Sequence, residues 1–95
     1  MKITMDEIVN SVILHLSERH EVPLSEVQVE LLWDEEQGFS AEAWVQGRSR
    51  FLVEANLKES IMRYALNEYQ IRVYPSQITL ELNEELEEIQ ANIEQ

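Results

Sequence analysis

The sequence has no cysteine, so neither a disulfide nor a thiolate site can support its fold or its chemistry. Glycine and proline occur twice each. The two glycines, Gly38 and Gly47, both fall in turns, and neither belongs to a phosphate-cradling loop or a G-x-S-x-G nucleophile elbow. Histidine is limited to His15 and His20. Five residues apart, they lie about 140° apart around a helix and share no face. A zinc site normally takes three or four ligands, so no metal and no cofactor is expected. Basic residues are also scarce: seven stand against nineteen acidic ones, for a formal net charge of −12. Such a surface repels phosphate backbones and anionic lipid. Nucleic acid and membranes are therefore not expected partners, mimicry of DNA by acid clusters being the formal exception. Apolar runs reach only three residues, as at Val12-Ile13-Leu14, against the roughly 20 needed to span a bilayer. Asp6 and Glu7 stand where a secretory signal needs an apolar stretch, so the cytoplasm is the expected location.

What is present describes one domain over residues 1–95. A chain this short buries only about 60–65% of its unfolded surface, and a second copy could enlarge its modest core. Apolar residues make up 44% and charged residues 27%, which is ordinary for a globular protein and excludes general disorder. Thr4 followed by Glu7 is a capping box. Behind it Met5, Ile8, Val9, Val12, Ile13 and Leu16 form one stripe at helical spacing, with acids in the first turn and Arg19 and His20 in the last. The pattern predicts a helix over 5–20, stopped before Pro23.

Val27, Val29, Leu31 and Trp33 then alternate with Gln28, Glu30, Leu32 and Asp34. After the turn 34–38, Phe39, Ala41, Ala43 and Val45 alternate with Ser40, Glu42 and Trp44. This is a hairpin with one buried face. Residues 49–52 suit a short edge strand. Leu57, Ile61, Ala65 and Tyr69 recur every four residues in a second helix over 54–70. Within it Glu68 falls in the apolar stripe, and a helix pair with Arg72 is its expected role. Ile78, Leu80 and Leu82 mark a third strand. The tail fits a helix through Leu86, Ile89 and Ile93, or a strand through Ile89, Ala91 and Ile93.

A shift of 52 residues lays Pro23 on Pro75, Glu7 on Glu59, and Val9 on Ile61. With a small slip, WDEEQGFSAEA matches LNEELEEIQANI. The chain thus reads as a helix–strand–strand unit used twice, which favours a strand for the tail. The expected fold is α+β, with two helices packed on one face of an antiparallel sheet. The stretches VELLWDEEQGFSAEAWVQGR and ITLELNEE, with the acidity and length, resemble the YxcD-like family of small Bacillus proteins of unknown function. The resemblance covers nearly the whole chain. It implies a cytoplasmic bacterial origin and brings no activity and no functional residues.

Pairing Trp33 with Phe39 sets Glu30 opposite Glu42 and Gln28 opposite Trp44 on the polar face of the hairpin. Like charges directly opposite are unfavourable unless a cation or a basic partner relieves them. Asp34, Glu35 and Glu36 add acids at the turn, without the alternation of a calcium loop. Leu32 and Trp44 are apolar on a face that should be wet, and Leu14 is similarly placed on the first helix. Two function classes follow. One is a non-catalytic protein-interaction module, a homo-oligomer joined through Leu32, Trp44 and Leu14. The other is an acidic module that sequesters a basic protein or a cation through Glu30, Glu42, Asp34, Glu35 and Glu36. An enzyme would need a cleft with convergent polar groups, for which Glu68, Tyr64 and His15 are the available set.

Overall fold

The computed structural model describes all 95 residues. Strand β1 (Lys2–Ile3) leads into helix α1 (Met5–His20). A short 3-10 turn precedes β2 (Val27–Asp34), β3 (Gly38–Val45) and β4 (Arg48–Val53). Helix α2 (Glu54–Tyr69), a second 3-10 turn, β5 (Ile78–Asn83) and β6 (Glu88–Ile93) complete the chain. The α+β architecture is the one expected, and both helices and the tail strand lie where the pattern places them. The strands divide into two three-stranded antiparallel sheets, ordered β2-β3-β4 and β1-β6-β5.

The local causes are legible. The Thr4 hydroxyl accepts the Glu7 amide at 3.2 Å, and the Glu7 carboxylate accepts the Thr4 amide at 3.2 Å, closing the capping box. α1 ends at Glu21 and α2 at Gln70, each in the left-handed conformation at φ 54. The β3–β4 turn is the two-residue loop Gln46-Gly47, at φ 52 and φ 81. Positive φ at both central residues matches the right-handed twist of the flanking strands.

The repeat is real, and its spacing differs from 52. Buried Ile8, Ser11, Val12 and Leu16 correspond to buried Leu57, Ser60, Ile61 and Ala65, a shift of 49. The shift becomes 51 between Val27 and Ile78, at the start of each hairpin. Pro23 precedes its 3-10 turn, whereas Pro75 opens the other, so the proline match misleads by one residue. Each half reads strand–helix–strand–strand. The leading strands are exchanged: β4 of the second half joins the first hairpin, and β1 of the first half joins the second. One core cluster unites the inner faces of both sheets with the facing sides of both helices, and Ile3, Ile8, Val12, Ala41, Ala43, Ile61, Ala65 and Ala91 are its most buried members.

Two expectations are corrected. Trp33 was expected to face inward with Val27, yet it is 45% exposed. It sits about 20 Å along β2 from buried Val27, near the tip of the β2–β3 hairpin. Glu68 and Arg72 form no ion pair, because α2 stops at Tyr69 and Arg72 lies beyond the helix. The helix pairs that do form are Lys58–Glu54 at 3.7 Å and Arg63–Glu59 at 3.8 Å.

Candidate functional site

The two sheets provide an internal comparison. Register sets the outer-face residues of β2-β3-β4 in three rows: Leu32–Ser40–Val53, Glu30–Glu42–Phe51 and Gln28–Trp44–Ser49. Leu32, Trp44, Glu30 and Glu42 therefore share one face, with the cross-strand pairing read from the sequence. Phe51 and Val53 join them, 57% and 51% exposed. The outer face of the second sheet carries Thr79, Glu81, Asn83, Glu88, Gln90, Asn92 and Lys2, polar throughout. Lys2 reaches Glu81 there at 3.6 Å. Of two faces related by the same internal repeat, only one displays large apolar side chains.

Charge marks the same face. Glu30 and Glu42 sit directly opposite each other on adjacent strands. The Ser49 hydroxyl donates to Glu42 Oε2 at 2.7 Å, while no basic side chain lies in the three rows. Asp34 lies at the tip, where its Oδ1 accepts the Glu36 amide at 2.7 Å and shapes the turn that carries Glu35. An open depression beside Trp44 is lined by Ser25, Glu26, Gln28, Gln46 and Gly47.

Leu14 is placed elsewhere. It lines a groove of about 370 Å³ along the helices, with His15, Leu24, Arg63, Tyr64 and Glu68. The three residues singled out for an enzyme site thus share a surface. Burial first, and the Arg63 guanidinium second, hold the His15 imidazole below its ordinary range. A base and a carboxylate converge in this groove, and the hydroxyls of the two serines that line it, Ser11 and Ser17, donate to the backbone carbonyls of Ile8 and Val22. No group of three or more His, Asp or Glu side chains converges to hold a metal ion.

A further cluster went unread in the sequence. Tyr69 and Tyr64 donate to Glu7 Oε2 at 2.5 and 3.2 Å, joining the end of α2 to the start of α1. The two rings meet edge to face with centroids 5.9 Å apart. Partial burial raises the Glu7 pKa, but the bonds from Tyr69, Thr4 and Tyr64 outweigh it and hold the carboxyl below its usual range. The bond to Glu7 pushes the Tyr69 phenol up to about 12. Every member serves the helix–helix junction, and the cluster is structural.

A family model described as "Protein of unknown function (DUF2653)" matches residues 1–85. The chain belongs to the DUF2653 family. No curated protein and no solved structure matches it. The DUF2653 match spans both helices, the whole β2-β3-β4 sheet and β5, and stops short of β6. No helix is long and apolar enough to cross a membrane.

Proposed function

We propose that this DUF2653 chain is a non-catalytic protein-interaction module of the bacterial cytoplasm. Its working surface is the outer face of β2-β3-β4, and its partner is a protein that presents basic residues. The observation that carries the reading is the contrast between the two outer faces: Leu32, Trp44, Phe51 and Val53 surround Glu30 and Glu42 on one, and polar side chains fill the other. Large aromatics are the usual anchors of interfaces, and a carboxylate pair met only by the Ser49 hydroxyl favours a cation beside it. A lysine or arginine docking there would also meet the Trp44 ring. A second copy of the chain suits the apolar part of this face. It suits the charge less well, since it would set two Glu30/Glu42 pairs together with no basic residue among them.

Photo-crosslinking in the native cytoplasm tests this. A photoreactive residue at position 51 should trap a discrete protein with a basic contact segment, and one at position 79 on the polar face should not. Equal trapping at both positions would overturn the reading. A product of twice the 11.2 kDa chain mass at position 51 would give the face to self-association instead.

A further inference from the structure

The same sheet has an open edge. β2 pairs only with β3, and its other flank meets no strand. Which backbone groups face that flank follows from the ladder. The Gln46 amide donates to the Glu26 carbonyl at 3.0 Å, so the Glu26–Gln46 pair is a hydrogen-bonded one. Hydrogen-bonded pairs alternate with non-bonded pairs in an antiparallel ladder. Residues 28, 30, 32 and 34 therefore bond to β3, and the N–H and C=O groups of Val29, Leu31 and Trp33 point away from it.

The repeat again supplies the comparison. Ile78 and Leu80 on β5, the counterparts of Val27 and Val29, are 2% and 7% exposed. On β2, Val27 is buried and Leu31 is half-buried like its counterpart Leu82, but Val29 is half-buried where Leu80 is buried, although its neighbour Ala43 on β3 is fully buried. The flank of β2 thus has less apolar cover than that of β5 at its central inward position, Val29. It also lacks the usual protections of an edge: residues 27–34 contain no lysine, no proline and no inward charge, and run for eight residues.

We infer that β2 accepts an extended segment of the partner as a fourth strand, one that alternates apolar and basic residues. Its apolar side chains complete the inner face beside Val29 and Leu31. Its basic side chains lie on the outer face beside Glu30, within reach of the carboxylate pair. Main-chain bonds to β2 supply affinity and the alternation supplies specificity. The inference rests on the docking reading above and adds the mode of binding and the partner's pattern.

The test uses a synthetic peptide of about nine residues alternating lysine and valine, long enough to run along β2. Tryptophan emission from Trp33 and Trp44 reports its binding to the full chain. Two further peptides carry N-methyl groups on all valine amides or on all lysine amides. In an added strand one alternate set of amides faces β2 and the other faces solvent. The two methylated peptides should therefore differ in affinity by about tenfold or more. Equal behaviour of the two, both retained or both lost, overturns strand addition. Retention by both leaves side-chain docking standing, whereas no binding of the unmethylated peptide also removes the basic-partner reading. Glu30→Gln should weaken the unmethylated peptide and flatten its salt dependence, and unchanged binding would count against the assigned position of the basic side chains.

Discussion

Glu7 ties the start of α1 to the end of α2. It closes the α1 capping box and accepts two phenol bonds from α2. Glu7→Gln keeps the shape and removes the charge, and should cost about 1 kcal/mol, measured by urea denaturation at neutral pH. Because the folded-state pKa lies below the unfolded one, this stability is present above the ordinary glutamate value. It is lost as the pH falls through the lowered value, so the two proteins should converge in acid. The Tyr69 contribution has the opposite sign: it is present below the ordinary tyrosine value and lost as the pH rises through about 12. Core and surface residues should separate as sharply. Ile61→Ala, at a fully buried position, should cost about 2–5 kcal/mol. Trp44→Ser, at a half-buried position, should cost less than Ile61→Ala and leave the fold intact. The Glu30/Glu42 and Gln28/Trp44 pairs were legible because a turn of known length and a period of two fix register. Phe51 and Val53 were not, since Phe51-Leu52-Val53 is an unbroken apolar run with no alternation to show its face. The Glu7–Tyr69 bond joins residues 62 apart and leaves no local pattern.

At the scale of elements, the ends of the helices carry an unspent reserve of stability. Glu21 and Gln70 both adopt left-handed backbone that glycine accepts without a Cβ penalty. Glu21 also places a negative charge at the negative end of α1. Glu21→Gly should therefore stabilise the protein by about 0.5–1 kcal/mol, seen as a higher thermal midpoint. A lower midpoint would mean that the unfolded-state entropy of glycine outweighs both gains. The elements themselves were readable to within a residue or two, because capping, periodicity and turn residues agree locally. β1 escaped notice: two residues carry no period, and Lys2–Ile3 is a strand only because β6 lies beside it.

At the scale of the molecule, the exchange of leading strands binds the two halves into one cooperative unit. Each sheet borrows a strand from the other half, and the core runs through both. Cutting the chain between Gln46 and Gly47 should yield fragments 1–46 and 47–95 that are largely unfolded alone and regain helix and sheet on mixing, by circular dichroism. Independent folding of either fragment would contradict the single shared core. The repeat was visible in the sequence as a duplicated unit, but not the exchange, which no pattern within one half records. The shift of 52 came from two prolines that hold different positions, and from the connection between helix and 3-10 turn, residues 21–23 in one half and 70–74 in the other.

The contrast between the two outer sheet faces is open to direct measurement by nuclear magnetic resonance. The isotope-labelled chain would be titrated with the alternating lysine–valine peptide while backbone amide shifts are followed residue by residue. The expected result is a set of changes confined to residues 27–33, 40–44 and 49–53, with the second sheet and the helix groove silent. Changes centred on Leu14, His15 and Tyr64, or spread evenly over all acidic surfaces, would contradict the assignment of the docking face.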